Sequence, residues 1–283
     1  MVPMLVGRRR GEDDEHGHHG EDDEHGHHAA PRQQRGPQAR GSLEVMAKLF
    51  TLLAWLPVAQ AWSGHVTLKV AVDRFGAVDD LGGKSGRFTS PASLDCVHRL
   101  RRGSDAVLVG VSTVARDDPS LTVRRVDPVD GAQPLRVVLD PNGRAPRDAA
   151  LLTDGLPTAV FSRGDFGAVD PAVTLEPFGE LPTMLDALER DHGVAHLMVE
   201  GGPFTARKFL AAGLVDRAVI VRAPVVFERP VPSGIDAALL RGAGLAFHSR
   251  RDVGGDDTHT WTRPGAAPIW AMLLDGALVV DET

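Results

Sequence analysis

The chain has 283 residues, with 31 Lys and Arg residues against 38 Asp and Glu residues, so its formal net charge is −7 at pH 7. An acidic chain that lacks a basic stripe with interleaved aromatic residues argues against nucleic acid as a partner. Cys96 is the single cysteine, which excludes an internal disulfide and is more typical of a small core residue than of a nucleophile.

The first 45 residues have the composition of a disordered low-complexity tail. The segment Gly11–His19 repeats without change as Gly20–His28, and a stretch rich in Pro, Gln, Arg and Gly follows. Such a segment offers almost no apolar surface to offset the entropy of ordering, so we expect it to stay unfolded. Its six histidines are able to hold Zn²⁺ or Ni²⁺ loosely, but a solvated tail is the favoured interpretation.

A targeting segment is predicted from Met46 to Gly64. Lys48 supplies a positive charge, Leu49–Val58 is an apolar run too short to span a bilayer, and Ala59–Ala61 has the small-x-small form of a signal-peptidase site. Trp62, directly after that site, resembles the aromatic residue of bipartite plastid presequences. We therefore expect import into a plastid and no membrane association of the mature form. The alternative is an apolar helix that leads into a cytoplasmic domain.

Residues 65–263 have the pattern of one globular domain. Continuous apolar runs such as Ala106–Val111 indicate strands covered on both faces. The predicted strands are 66–72, 106–111, 135–139, 158–161, 196–199 and 217–221, with a last pair at 245–248 and 258–262. The predicted helices begin at Pro91, Leu181 and Phe204 and end before Gly103, Gly193 and Gly213. This alternation predicts a three-layer α/β fold with a mostly parallel central sheet and a C-terminal antiparallel pair. An extension of unknown role covers residues 264–283.

The most informative motif is Glu200–Pro203, which lies between a strand-like run and a helix-like run. A carboxylate ends the strand, two glycines let the backbone approach a ligand, and Pro203 suits the first helical position. The remaining N–H groups at the helix start form an anion site suited to dinucleotide phosphates. Sites in parallel sheets lie beyond the carboxyl ends of the strands, so we expect Lys69, Gly110 and Glu200 at one crevice.

Several catalytic signatures are absent from the sequence. No Gly-x-Gly-x-x-Gly follows a strand, and Gly83–Ser85 lacks the upstream glycine of a P-loop because Val78 occupies that position. Neither the zinc-deaminase signature nor Gly-x-Ser-x-Gly occurs. These absences argue against metal catalysis, phosphoryl transfer on a P-loop and acyl transfer, and no metal site is predicted. A phosphate-binding α/β domain with scattered carboxylates and arginines remains.

Ordered motifs give the chain a family resemblance. They are Val66–Val72, Thr89–Pro91 with Val97–Arg101, Ser104–Val114 with Asp117–Arg124, Glu200–Pro203 and Gly213–Asp216. Together these motifs resemble the reductase domain of riboflavin biosynthesis, which bacteria carry behind a deaminase. The resemblance covers residues 65–263 and lacks the deaminase half, so it implies a stand-alone reductase with a dihydrofolate-reductase-like fold.

The family's reaction defines the expected ligands. The resemblance implies that NADPH reduces 5-amino-6-(5-phosphoribosylamino)uracil to 5-amino-6-(5-phosphoribitylamino)uracil. The partner would then be a small-molecule phosphoribosylamino-pyrimidine. One alternative is reduction of 2,5-diamino-6-(5-phosphoribosylamino)pyrimidin-4-one before deamination. Another is a non-catalytic nucleotide-binding homologue.

The resemblance also implies residue roles by position. The implied catalytic residues are Lys69, Asp117 and Glu200. The implied cofactor-binding residues are Ala71, Arg87, Thr113, Asp117, Gly201, Gly202, Pro203, Phe204 and Thr205. The implied substrate-binding residues are Ser85, Arg101, Leu121, Arg124 and Glu200. Arginines offer forked donors to a phosphate, and the protein mainly holds the nicotinamide C4 close to the ribose C1′.

Some of these residues also have plainer interpretations. Asp117 suits the cap of a following turn, Arg101 suits an exposed last-turn cation, and Thr113 suits the cap of a short helix. His98 and Arg99 are interpreted as core-edge and surface residues rather than as catalytic ones.

The chain departs from the family pattern at two places. Asp73–Gly76 stands where the family usually has Ser-x-Asp-Gly, with an aromatic residue in place of the acid. Pro141 stands where a serine often faces the cofactor, and Arg144 nearby is a candidate partner for the 2′-phosphate by charge. A homodimer is left open, with Leu214–Val226 as the expected pairing edge.

Overall fold

The computed structural model describes residues 62–82, 86, 88–164, 166–167 and 170–266. The predicted tail over residues 1–45, the targeting segment up to residue 61 and residues 267–283 of the extension lie outside the described residues. Ser85 and Arg87 also lie outside them. At the start of the described chain, the backbone N–H of Trp62 donates to Asp186 (2.6 Å).

Strands and helices alternate along the described chain. The strands are β1 (His65–Val72), β2 (Ala77–Asp80), β3 (Ala106–Gly110), β4 (Leu135–Leu139), β5 (Thr158–Ser162), β6 (Val173–Pro177), β7 (His196–Val199), β8 (Arg217–Arg222), β9 (Pro230–Pro232), β10 (Ala246–Val253) and β11 (Asp256–Thr262). The helices are α1 (Pro91–Arg102), α2 (Val111–Asp117), α3 (Ala150–Thr153), α4 (Leu181–His192), α5 (Pro203–Ala211) and α6 (Ala237–Gly242), with a 3₁₀ turn at Val129–Gly131.

Nine strands form the central sheet, in the order β10-β11-β8-β1-β7-β3-β4-β5-β6. The seven strands from β8 to β6 are parallel, while β11 runs antiparallel to β8 and to β10. This confirms the mostly parallel sheet and its C-terminal antiparallel pair, although both of those strands are longer than predicted. β2 and β9 form a separate two-stranded antiparallel sheet.

Helices cover both faces of the sheet. On one face, side chains of α4, α5 and α6 such as Leu185, Phe209 and Leu240 pack in one cluster with Leu68 of β1. On the other face, side chains of α1, α2 and α3 pack in a second cluster with alternate residues of the same sheet, among them Met198. The predicted three-layer architecture is therefore confirmed.

The expected pairing edge at Leu214–Val226 is wrong. Its strand β8 lies inside the sheet, because it pairs with β1 on one side and with β11 on the other. The backbone groups on both edges of β8 therefore pair with strands of the same chain. No helix in the described part of the chain is both long enough and apolar enough to cross a membrane.

The strand order places the site. β7 enters between β1 and β3, so the carboxyl ends of these three parallel strands lie side by side in the middle of the sheet. Crevices in open α/β sheets form at such reversals of strand order.

Candidate active site

A cleft with a volume of about 770 Å³ opens at the carboxyl ends of β1, β3 and β7. It brings together ten of the residues that the sequence selected: Lys69, Ala71, Arg101, Thr113, Asp117, Leu121, Arg124, Glu200, Gly202 and Pro203. Gly201, Phe204 and Thr205 do not line it: Gly201 packs against Thr205, and Phe204 is 68% exposed. Residues far apart in sequence therefore meet at one crevice.

Glu200 is held by Arg101 through two parallel hydrogen bonds. Arg101 Nε donates to Glu200 Oε1 (2.6 Å), and Nη2 donates to Oε2 (2.9 Å). A third donor, Nη1, reaches the carbonyl oxygen of Thr122 (3.0 Å). Because both side chains are about nine-tenths buried, the interpretation of Arg101 as an exposed helix-end cation is wrong. Arg101 therefore holds the carboxylate in place. Because all three of its nitrogen atoms already donate within the chain, it has few N–H groups left for a ligand.

Three charged groups set the electrostatics of the cleft. Burial by itself would raise the pKa of Glu200, but the Arg101 guanidinium and the Lys69 ammonium outweigh it and hold that pKa below its ordinary value. Burial lowers the pKa of Lys69, and Glu200 opposes that shift only in part. Burial also disfavours the charged form of Arg101, yet Glu200 raises its pKa overall. Arg101 and Lys69 thus both favour the anionic form of Glu200.

Lys69 lies in the middle of β1 on the same face as Ala71. Both residues line the cleft and are partly exposed there. Among the described residues, the Lys69 ammonium has no hydrogen-bond partner. Its donors are therefore available to a ligand in the cleft.

A glycine floor, formed by Gly110, Gly201 and Gly202, lies beside Thr205 of α5. A Cβ atom at Gly110 would lie 2.5 Å from Thr205 Oγ1, and one at Gly201 would lie 2.6 Å from Thr205 Cβ. Side chains are thus excluded at both positions by direct overlap, as expected where backbone must pack closely.

Thr113 binds this floor and does not cap its own helix. Its Oγ1 accepts from the N–H of Gly202 (3.1 Å), whereas α2 begins after Gly110 without a side-chain cap. The interpretation of Thr113 as a helix cap is therefore wrong. One N–H group of the predicted anion site is used in this contact, and α5 then begins at Pro203.

Asp117 is the last residue of α2 and faces the cleft. The residue that ends the helix is its neighbour Asp118, in the left-handed conformation (φ 41°), and Asp118 Oδ1 accepts from the N–H of Ala150 (2.8 Å). Asp118, rather than Asp117, is therefore the residue that ends α2 in the left-handed conformation and that contacts the start of α3.

The Asp73–Gly76 turn follows β1 and is closed by its own acid. The buried Asp73 carboxylate accepts from the N–H groups of Phe75 (2.9 Å), Ala77 (2.8 Å) and Phe227 (3.2 Å). Phe75 itself is 75% exposed. The aromatic residue that departs from the family pattern thus leaves the turn intact, because its side chain points to solvent.

The small β2–β9 sheet is tied to α2 across the mouth of the cleft. Arg116 forms an ion pair with Asp79 and donates through Nη2 to the carbonyl oxygen of Asp80 (3.1 Å). The Asp80 carboxylate accepts in turn from the N–H groups of Glu228 and Arg229. β2, which the sequence pattern did not predict, is therefore part of the cleft wall.

A second pocket of about 530 Å³ adjoins the cleft along α2. Ser112 and Arg116 line both, and Arg144, from the segment after β4, lines the second pocket only. A ligand long enough to fill both would run along α2 with Arg144 at its far end.

His98 is a cleft residue that the sequence reasoning set aside. It is 3% exposed, and its Nδ1 accepts from the N–H of Arg124 (3.1 Å). The spacing of His98 and Arg101 on α1 was the available signal, since residues three apart share one face of a helix.

The sequence model of the RibD C-terminal domain matches residues 64–231, which is more than half of the chain. The chain belongs to the RibD C-terminal domain family. This confirms the resemblance that the ordered motifs carried. Among curated relatives, the RibD protein of Aquifex aeolicus is 39% identical over 178 residues, which cover 60% of this chain and 49% of that protein. The chain thus spans about half the length of that RibD relative.

A second curated relative and a solved structure are also similar to this chain. A protein of Methanothermobacter thermautotrophicus named 2,5-diamino-6-ribosylamino-4(3H)-pyrimidinone 5′-phosphate reductase is 34% identical over 197 residues, which cover 64% of this chain and 85% of that protein. The solved structure of Acinetobacter baumannii RibD (form 2) matches with a TM-score of 0.63 and 26% identity, covering 77% of this chain and 62% of that one.

Proposed function

We propose that the chain is the reductase of riboflavin biosynthesis and that it uses NADPH to reduce the ribosyl group of a phosphoribosylamino-pyrimidine. The observation that carries the proposal is that Lys69 and the Glu200 carboxylate fixed by Arg101 line one cleft and interact electrostatically there, next to the glycine floor. The family match and the named reductase relatives support it. The cleft and the adjoining second pocket offer room for the two ligands, and the part of the cleft lined by Lys69, Glu200 and Arg124 is called the substrate arm.

The residues of the glycine floor fit a dinucleotide. Gly110 and Gly201 let the end of β3 and the loop before α5 pack closely against Thr205, and the start of α5 beside them favours phosphate charge. NADPH supplies the hydride when it is bound. We place its adenosine end in the second pocket, where Arg144 is a partner for the 2′-phosphate.

The substrate occupies the arm with Lys69, Glu200 and Arg124. Reduction adds a hydride to the ribose C1′ and a proton to O4′, the ring oxygen that C1′ releases. Lys69 is placed to give that proton, because burial lowers its pKa and makes the ammonium a better acid. Glu200 accepts hydrogen bonds from sugar hydroxyls, and Arg124 binds the 5′-phosphate.

Absorbance of NADPH tests the reaction. The full-length protein is expected to oxidise NADPH when 5-amino-6-(5-phosphoribosylamino)uracil is added, and to leave it unchanged without a pyrimidine. Lys69→Met is expected to bind NADPH normally and to lose turnover. If NADPH binds but neither candidate pyrimidine causes oxidation at saturating concentration, the reductase proposal fails and the non-catalytic alternative stands.

Reduction before deamination is the second candidate. The match to the Methanothermobacter reductase, which is named for the diamino-pyrimidinone, covers 85% of that protein, whereas the match to the Aquifex RibD protein covers 49% of it. Comparing turnover on the diamino-pyrimidinone and the amino-uracil, each at several concentrations, separates the two orders of reaction.

A further inference from the structure

The segment Asp118–Arg124 brings Leu121 and Arg124 to the cleft without any helix or strand of its own. Asp118 (φ 41°) and Leu121 (φ 53°) both adopt left-handed backbone, which is sterically unfavourable for a non-glycine residue. Leu121 is also buried (2% exposed). Such a conformation persists only when surrounding groups hold it in place.

Side chains from elsewhere bind the backbone just before Arg124. Arg101 donates to the carbonyl oxygen of Thr122 (3.0 Å). Gln133 binds Val123 twice, because its Oε1 accepts from the N–H (2.7 Å) and its Nε2 donates to the carbonyl oxygen (3.2 Å). The path of the segment is therefore fixed by specific side-chain contacts.

His98 provides the contact at Arg124 itself. A backbone N–H can only donate, so His98 Nδ1 is the acceptor and the ring is neutral with its proton on Nε2. Burial, followed by the positive charges of Arg101 and Arg124, lowers the pKa of His98 to about 4. The ring consequently keeps its accepting lone pair throughout the neutral range.

We propose that His98 is a positioning residue for the sugar-phosphate arm of the cleft: its Nδ1 fixes the main chain of Arg124 and thereby the place from which that guanidinium reaches a phosphate. The Arg124 guanidinium is steadied further by Ser120 Oγ (2.7 Å), which belongs to the same segment. A shift of the segment therefore moves both groups together. This inference rests on the proposed function, in that it takes a sugar phosphate as the ligand.

Two amide substitutions separate positioning from simple filling of the core. His98→Asn places an amide oxygen near the position of Nδ1, whereas His98→Gln reaches toward the position of Nε2. The probe is ribose 5-phosphate, titrated into the full-length protein by calorimetry, with NADPH affinity measured separately by fluorescence. Neither readout requires turnover.

The expected pattern is specific to one ligand. His98→Gln should weaken ribose 5-phosphate about tenfold, the effect of one lost hydrogen bond, while His98→Asn stays within about threefold of the unchanged protein. NADPH affinity should be unaffected in both. Arg99→Gln, at the next position of α1 and outside the cleft lining, is the matched control and should bind both ligands normally.

Three results would overturn the role of His98. These are equal ribose 5-phosphate affinity of the Asn and Gln variants, an equal loss of NADPH affinity, or a further loss when His98→Gln is added to Arg124→Ala. The comparison with the double variant stays informative even where His98→Gln lowers stability. In the Arg124→Ala background the guanidinium is absent, so a residue that acts only through Arg124 has no further effect on affinity. If the unchanged protein fails to bind ribose 5-phosphate at all, the role of His98 also falls, whereas the proposed function is decided separately by the NADPH oxidation assay with the two pyrimidines.

Discussion

Arg101 and Glu200 stand 99 residues apart in sequence and form a two-point ion pair at the back of the cleft, with Nε–Oε1 and Nη2–Oε2 distances of 2.6 and 2.9 Å. The pair joins α1 to the end of β7. Substitutions can separate the contribution of this ion pair to stability from its contribution to the site.

Arg101→Met should lower the free energy of unfolding by about 3–5 kcal/mol, because it leaves the buried Glu200 carboxylate unpaired. The double variant Arg101→Met/Glu200→Met should recover much of that loss in urea unfolding. Arg125→Met is the control, since its ion pair with Asp95 is about one-third exposed and is worth about 0–1 kcal/mol. A double variant no more stable than Arg101→Met would contradict this account.

Alanine at Gly110 or at Gly201 of the glycine floor should destabilise the fold by about 1–3 kcal/mol through overpacking. A second substitution, Thr205→Ala, should affect the two alanine variants differently. Thr205→Ala removes the Oγ1 atom that a Cβ at Gly110 would meet at 2.5 Å, and leaves Thr205 Cβ 3.8 Å away, so it should rescue Gly110→Ala. At Gly201 the Cβ itself lies at 2.6 Å, so Thr205→Ala should not rescue Gly201→Ala. Thermal unfolding of the four variants checks both expectations, and rescue at both positions would show that the overlap is relieved in another way.

Asp73 should give the fold a pH dependence. Burial alone would raise the pKa of Asp73, but the N–H groups of Ala77, Phe227 and Phe75 outweigh it and hold that pKa below its ordinary value. The stabilisation is therefore present above about pH 4, the ordinary value for Asp, and is lost as pH falls through the lower pKa of the folded state.

Asp73→Asn should accordingly cost about 2–3 kcal/mol at pH 7, the effect of losing a charged acceptor, and progressively less in acid. Urea unfolding between pH 7 and about pH 3 measures this difference. Asp127→Asn, at an exposed carboxylate, is the matched control. A cost for Asp73→Asn that stays constant over the whole pH range would be the contrary result.

Arg144→Gln should raise the KM for NADPH about 10- to 100-fold and leave the KM for NADH unchanged, because only NADPH carries the 2′-phosphate. Arg147→Gln is a nearby control, since Arg147 lies over the ring of Phe166 and does not line the second pocket. Equal effects on the two nucleotides would remove Arg144 from the 2′-phosphate site.

The buried parallel strands could be predicted because their composition reflects their surroundings. Runs such as Ala106–Val111 are covered on both faces, so burial makes them apolar throughout. Leu135–Leu139 follows the same pattern except at Arg136, which is buried and forms an ion pair with Asp154. The helix end at Gly193 was predictable for a local reason, since Gly193 adopts φ 67°. These features depend on neighbours in the sequence or on burial alone.

The missed elements depend on partners that the sequence does not reveal. β2 and β9 are four and three residues long, and each exists through pairing with the other across some 150 residues of chain. The misassigned edge at Leu214–Val226 has the same origin, because the apolar pattern of β8 shows that it is buried and not which strands flank it.

Side-chain roles divide in the same way. The ordered motifs located the cleft residues Lys69, Arg124 and Glu200, but they did not show that Arg101 is engaged by Glu200. Nor did they show that the ring of His98 accepts from Arg124, because such a contact depends on how a distant loop folds back onto α1.

The position of β7 has a consequence for biosynthesis of the protein. The strands that pair with β1 are β7 and β8, and their paired residues follow those of β1 by about 130 residues or more. A growing chain therefore exposes both edges of β1 until β7 and β8 have left the ribosome. Pairing over such sequence distances is slow, and unpaired strand edges promote association between chains. A nascent chain stalled before residue 196 is therefore expected to need chaperone protection, and release of that protection should coincide with the arrival of the very strand that brings in Glu200.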